Sequence, residues 1–359
     1  MRPQSEAELA EMVAGASGPL VLRGGGTRAV GAVEGEVLET GGLSGVVLYE
    51  PAALTLVVRA GTPLAEVEAI LAAERQRLGF EVPDMRAVLA REGVSTIGGV
   101  VAANASGPRR VQVGACRDAL LGVRFVTGRG EVVKNGGRVM KNVTGYDLVK
   151  LMAGSHGVLG ALSEVSLKVQ ALPEAEATLV IEGLDDAAGL AALRAALGSP
   201  FDVSGVARVA GRSLIRVEGM AGSVAYRKGR LRARVAGDVT VAEAGASAAL
   251  WRAVRDLEAL AGRAGDLWRL SVLPTAAAEV AATLGGTAVW DCGGGVIWLL
   301  LPAGQAAEVR AVVAGRGQAV LVRGEGASPF APEAAEVAAL SAGLKAAFDP
   351  RGILNRGMI

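Results

Sequence analysis

Few side chains in this sequence are equipped for chemistry. His156 is the only histidine. It sits in Gly154-Ser155-His156-Gly157, where an imidazole reads first as a packed or solvent-facing group rather than a base. Cys116 and Cys292 are the only cysteines and lie far apart, so alone they hold neither an iron–sulfur cluster nor a four-ligand zinc ion. Any such centre belongs on another polypeptide. Arg109-Arg110 has the charge to neutralise a phosphate or a carboxylate, or simply faces water. Lys141 and Tyr146 read plainly as a surface charge and a buried ring. What the chain has in quantity is bare backbone: it carries 51 glycines.

The first glycine run follows a strand-like Pro19–Arg23 and reads Gly24-Gly25-Gly26-Thr27-Arg28-Ala29. Gly24, Gly26 and Ala29 satisfy the G-x-G-x-x-G/A dinucleotide pattern, which requires a long helix directly afterwards. Here Gly31 and Gly35 intervene and a strand-like Glu36–Thr40 follows, so the Rossmann reading fails. Two readings stay open: a nest of consecutive N–H groups able to hold a pyrophosphate, or a plain flexible turn. The second stretch, Val94–Val169, sets glycines between short strands such as Leu121–Val126 and Val165–Val169. Glycine accepts positive φ and has no Cβ, which suits a wall where backbone approaches a large, flat, polar ligand. A β-rich domain with many tight turns has the same composition.

The elements that must position these stretches are legible in outline. Ser5-Glu6-Ala7-Glu8 is a capping box opening a helix to about Val13. Val46–Tyr49 and Leu54–Ala60 are strands, and Pro63 opens a helix to about Glu74. After Pro173 the texture changes. Strand Thr178–Glu182, helix Asp185–Leu197, a hairpin of Val203–Ala210 and Ser213–Glu218, a helix over 220–235 and strand Val239–Val241 form one β-α-β-β-α-β order. After a helix at Ala246–Ala261 the order recurs: Leu267–Leu273, Thr275–Leu284, Thr287–Asp291, Val296–Leu301, Gln305–Ala314 and Gln318–Arg323. Two such units predict a ferredoxin-like sheet backed by helices. A final helix, Glu333–Phe348, leads into a tail whose Phe348, Ile353 and Leu354 read as anchors of a docked strap.

A chain of 359 residues is expected to hold two domains. Its 37 basic and 36 acidic residues are evenly spread, which argues against a nucleic-acid or anionic-membrane surface. The N-terminus lacks an apolar signal-peptide core. The longest apolar run, Val296–Leu301, is far short of the roughly 20 residues of a spanning helix. A soluble, cytoplasmic chain is expected.

With these residues in view, the chain resembles the FAD-binding oxidoreductases of the vanillyl-alcohol oxidase, or PCMH, type. Within them it is most similar to the FAD-binding subunits of bacterial glycolate oxidases. Four blocks carry the resemblance: Gly24–Thr27; Thr96-Ile97-Gly98-Gly99 with Asn104-Ala105-Ser106-Gly107; Lys141–Leu148 through Gly154–Gly160; and Phe348-Asp349-Pro350 with Asn355. The resemblance implies an α+β fold. A two-part PCMH-type FAD-binding domain over 1–171 would precede a ferredoxin-like cap domain over 172–325, and a helix and strap over 326–359 would return to the flavin. It implies that Gly24, Gly25, Gly26 and Thr27 give backbone N–H groups to the pyrophosphate. Thr96, Gly98, Gly99, Ser106 and Gly107 would line the ribityl and isoalloxazine side, with Gly114 and Asp118 further along the same wall. Gly160 and Leu162 would hold the adenine end, and Asn355 would approach the ring from the strap.

The implied function is that of an FAD subunit in a glycolate oxidase, oxidising glycolate to glyoxylate. Its partners would be a catalytic flavoprotein subunit and an iron–sulfur subunit, which would also bring it to the inner face of the membrane. One departure stands out. Relatives that oxidise hydroxy acids themselves carry a histidine cluster in the cap, where this chain has Trp290-Asp291-Cys292-Gly293-Gly294-Gly295 and no histidine. Removing protons from a 2-hydroxy acid at neutral pH favours an imidazole base. No catalytic residue is therefore assigned, and the isolated chain is expected to be a poor dehydrogenase. No histidine lies near Thr27, so FAD is expected to be non-covalent. A self-sufficient 2-hydroxy-acid dehydrogenase with another base, or a flavoprotein with a structural role, are the alternatives.

Overall fold

The computed structural model describes residues 1–138 and 145–358. Ser5 caps the first helix, Glu6–Ala14, by accepting from the Glu8 amide at 3.2 Å. Glu8 reaches back to the amide of Gln4 at 2.8 Å rather than to that of Ser5. Strands β1 (Leu20–Arg23) and β2 (Glu36–Glu39) then pair in parallel. Parallel neighbours normally need a helical crossover. The link here, Gly24 to Gly35, contains no helix, so the rejection of a Rossmann unit stands.

The next strands are β3 (Val46–Glu50), β4 (Thr55–Arg59), β5 (Gln76–Leu78), β6 (Leu120–Val126), β7 (Val132–Gly136) and β8 (Ala161–Ala171). They form an antiparallel sheet ordered β3-β4-β8-β6-β7, with β5 also on β8. β8 is its spine. Flanked on both sides, it buries Val165, Leu167 and Val169 completely. The helices Leu64–Ala73 and Ile97–Ala102 supply Val67, Leu71, Ile97 and Val100 to the same core.

The second part holds β9 (Ala175–Glu182), β10 (Gly205–Val209), β11 (Arg212–Gly219), β12 (Asp238–Glu243), β13 (Asp266–Val272), β14 (Thr287–Asp291), β15 (Val296–Leu301) and β16 (Gly317–Arg323). All eight lie in one sheet, ordered β12-β9-β11-β10-β14-β15-β13-β16, and every pairing is antiparallel. It is two β-α-β-β-α-β units fused edge to edge at a β10–β14 seam of three residue pairs. Helices such as Asp186–Leu197, capped by the Asp185 carboxylate, cover a core centred on Trp268, Leu270 and Ile297. The helix expected to reach Ala261 spans only Ala244–Arg255. Leu257 takes a left-handed conformation (φ 55°) that breaks it.

Charge joins the two parts. Arg216 of β11 pairs with Glu81 at 2.7 Å, and its neighbour Glu218 takes Arg77 at 2.7 Å and Arg109 at 3.2 Å. Arg216 also lies 4.4 Å from the Trp251 ring centre. Burial would push the Glu218 carboxyl up, but Arg216, Arg109 and Arg77 outweigh it and hold its pKa at about 2. Arg109 is thus neither a water-facing charge nor a free anion site.

After the helix Ala335–Phe348 the tail docks on the first part. Leu20 donates to the Ile353 carbonyl at 2.7 Å and Asn355 donates to the Leu20 carbonyl at 2.9 Å. Lys345 donates to the carbonyls of Val158 and Leu354, both at 2.7 Å.

Candidate functional site: a glycine-walled cavity

β1 ends at Arg23 and releases the chain into Gly24-Gly25-Gly26. Among the described residues, the amides of these three glycines donate to no other backbone carbonyl. They border a cavity of about 760 Å³, with Gly93, Val94 and Thr96 on its wall together with Arg2, Arg23 and Arg91, and with the carboxylates Glu39, which pairs with Arg23, and Glu92. That volume is within the roughly 300–1,000 Å³ of small-molecule and cofactor sites. Unspent amides beside arginines form a donor set suited to a phosphate-bearing ligand.

The three glycines are required for two different reasons. Only Gly26 has a positive φ, 71°. A Cβ on Gly24 would overlap the Thr96 hydroxyl and one on Gly25 the Val94 carbonyl. Positive φ within the run is therefore confined to Gly26, and close approach accounts for Gly24 and Gly25. Arg28 locks the loop in place. It donates to Thr27 Oγ1 at 3.1 Å, to Ser95 Oγ, and to the Pro83 carbonyl at 2.7 Å. Burial lowers its pKa to about 10, which leaves it a cation at neutral pH. Sequence reasoning passed over Arg28 as a functional residue, because an arginine beside glycines carries no signal without its partners.

A smaller cavity of about 80 Å³ shares Arg23 and Gly24 with the first and runs past Gly98, Gly99, His156, Gly157, Gly160 and Leu162. Thr96 accepts from the Gly99 amide at 3.3 Å and so starts the Ile97–Ala102 helix. A Cβ on Gly98 would lie 2.7 Å from that of Ala60. The structure therefore gathers Gly24, Gly25, Gly26, Thr96, Gly98, Gly99, Gly160 and Leu162 around two adjoining cavities. Thr27 is buried one residue beyond the glycines, under Arg28.

The other expected site residues line neither cavity and are engaged elsewhere. Ser106 accepts from the Cys116 amide at 2.8 Å, and Gly107 donates to the Glu81 carbonyl at 2.8 Å beside the joint between the two parts. Asp118 accepts from the Ala115 amide at 2.7 Å in a turn that Gly114 (φ 82°) enters. Asn355 is a staple: it accepts from the Leu22 amide at 2.8 Å and donates to the His156 carbonyl at 2.6 Å.

His156 is both packed and cavity-lining. Its ring centre is 5.8 Å from that of Phe330, and burial lowers its pKa, so the imidazole is neutral at pH 7. Lys141, with Asn142, Val143 and Thr144 of the same motif, lies outside the described residues. Tyr146 is 88% exposed, not a buried ring. Burial pushes the thiols of Cys116 and Cys292 up, so neither is a thiolate. Asp291 is raised by burial to about 6, against the amide of Cys292 that donates to it at 2.6 Å. Among the described residues no cluster of three or more His, Cys, Asp or Glu is placed to hold a metal.

Residues 1–136 match the FAD binding domain family. Glycolate oxidase subunit GlcE of Escherichia coli (strain K12) is 34% identical over 344 residues, covering 94% of this chain and 92% of that protein. Glycolate oxidase subunit GlcD of Bacillus subtilis (strain 168) is 34% identical over 176 residues, 47% of this chain and 36% of the relative. A solved alkyldihydroxyacetonephosphate synthase superposes with a TM-score of 0.72 at 16% identity, covering all of this chain and 77% of the other, a likeness of fold.

Proposed function

The chain belongs to the FAD-binding glycolate oxidase subunit family that includes GlcE, and on that premise we propose that it is the FAD-binding subunit of a multi-subunit glycolate oxidase. The reaction is oxidation of glycolate, or a close 2-hydroxy acid, to the 2-oxo acid. The observation that carries this reading is the Gly24–Gly26 run, whose amides are unspent on backbone carbonyls and border the larger cavity beside Arg23 and Arg91.

When bound, FAD supplies the two-electron acceptor, and the protein's part is to bind, orient and shield it. Gly24, Gly25 and Gly26 hold the diphosphate through their amides, while Arg28 and Thr27 fix the loop from behind. Gly98, Gly99, Gly160 and Leu162 bound the path beyond it. Neutral His156 faces that path without adding charge. The eight-stranded sheet acts as the cap, held against the FAD-binding part by the Glu81–Arg216–Glu218 joint. The tail acts as a strap, in which Asn355 fixes the backbone of Leu22 and His156. Ser106, Gly107, Gly114 and Asp118 support the wall through its turns.

The cofactor is held without a covalent bond, since neither cysteine is a thiolate and no histidine lies in the loop after β1. Electrons leave to an iron–sulfur subunit, because two separated cysteines build no cluster. No helix among the described residues is long and apolar enough to cross a membrane, so attachment at the cytoplasmic face runs through partners. Purified chain should be yellow and release all its flavin on acid precipitation. Glycolate should bleach the flavin of the isolated chain slowly or not at all, and that of the assembled oxidase quickly. Flavin retained in the acid pellet would break the non-covalent reading, and fast bleaching of the lone chain would favour a self-sufficient dehydrogenase.

A further inference from the structure

Among the described helices of eight residues or more, Ala335–Phe348 alone buries none of its residues. Only Ser341, Lys345 and Phe348 are half-buried, one stripe at helical spacing that rests on the first part. Val337, Leu340 and Leu344 are exposed by 48%, 71% and 42%. Glu336 and Lys345 are its only charges, and Lys345 turns inward to Val158, Leu354 and Asp349. The helix is not adrift, because that lysine and the Phe348–Phe125 ring contact at 5.9 Å fix its C-terminal end. An apolar helix held out so that most of its circumference meets water has a surface without a partner among the described residues.

Area decides what kind of partner fits. Fourteen residues make a cylinder about 21 Å long and about 10 Å across, with a wall of roughly 650 Å². A flat surface, or a second copy laid helix against helix, covers about half of that, well below the ~800 Å² per partner of a stable interface. It also leaves the opposite apolar stripe wet. A groove closing around three sides buries roughly 500 Å² of the wall, about half as much again as a flat contact, and the exposed flanking residues 331–334 extend it towards the standard size. The outer face carries one charge, Glu336 in the first turn, with Glu333 just ahead of it, and so offers nothing to an acidic surface.

We infer that Ala335–Phe348 inserts into an apolar groove on a non-identical subunit of the oxidase, in helix-in-groove fashion. This rests on the subunit reading above. The test uses the full chain carrying Leu340→Glu and Leu344→Glu, co-expressed with the other glycolate oxidase subunits of its source and analysed by size exclusion with light scattering. Both leucines are exposed, so flavin content and melting temperature of the variant chain should match wild type. The complex should weaken about 100-fold or more, as for central interface residues. A wild-type complex that the double variant still forms at equal strength would overturn the helix as the interface while leaving the subunit reading intact. A wild-type homodimer that the variant dissolves, with no mixed complex, would overturn the groove in favour of a second copy. A wild-type chain that stays monomeric beside those subunits would overturn the proposal together with the subunit reading beneath it.

Discussion

Two runs of three glycines in this molecule are put to opposite uses. Gly24-Gly25-Gly26 leaves β1, keeps its amides free of backbone partners and borders the larger cavity. Gly293-Gly294-Gly295 links β14 to β15 and is packed into the chain's own interior. A Cβ on Gly294 would lie 2.8 Å from that of Ala277, and one on Gly293 3.1 Å from a methyl of Leu197. Both runs mark a place where backbone must come close to something. In both, that something is the protein itself, since a Cβ on Gly24 or Gly25 meets Thr96 or Val94; the first run differs in also leaving its amides free beside a cavity. Three arginines and a strand end without a following helix distinguish the first run, while an alanine-rich helix and a leucine distinguish the second.

The sharpest way to break this comparison is Gly25→Val. A Cβ there overlaps the Val94 carbonyl, so the two segments bordering the cavity must part, at a cost of roughly 3 kcal/mol by the scale of overpacking. Flavin affinity should fall about 100-fold, read by titrating apoprotein with FAD, while the second sheet keeps its unfolding transition. Unchanged flavin affinity would remove the loop from the cofactor site. Gly294→Ala should do the reverse. It combines φ 100° with a close contact, so a loss of about 2 kcal/mol in stability is expected with flavin affinity unchanged.

The smallest expected effect lies just before the second run, at Asp291. Its folded pKa of about 6 is above the ordinary carboxyl value. Its burial therefore counts against stability once pH exceeds about 4, with the full penalty reached above about pH 6. Asp291→Asn keeps an acceptor for the Cys292 amide and removes the charge. Thermal melts should show a gain of about 1–2 kcal/mol at pH 8 and none at pH 4. A gain of equal size at both would mean that the charge is not the cause.

Much of the fold was legible because period and length suffice for it. The two β-α-β-β-α-β orders follow from short alternating strands separated by helices such as Asp186–Leu197, and the tail's docking follows from its three apolar anchors. That Gly24–Gly26 and Thr96 share one cavity was not legible, because their motifs read as lining different parts of a ligand. What stayed hidden depends on partners distant in sequence. Nothing near Arg109 says that Glu218 will bury it, and nothing near Arg28 points to Ser95 and Pro83. Ser106, Gly114 and Asp118 belong to a motif stretch, but their atoms serve its own turns. The exposure of Leu340 and Leu344 was equally invisible, because an apolar helix reads the same whether its partner is internal or a second protein.

The Asn355 staple has a consequence in time. The Leu22 amide that it receives lies 333 residues earlier, and Leu20 pairs with Leu354 in the same place. At roughly 5–20 residues per second, synthesis of the intervening chain takes about 17–70 s. Throughout that interval the first strand has emerged but its last neighbour does not exist. The glycine loop that hangs from this strand is therefore not fixed until residue 355 has been made, although it is among the early segments of the sequence. Loading with flavin would then await synthesis as far as residue 355, and a chain truncated before it should accumulate as apoprotein.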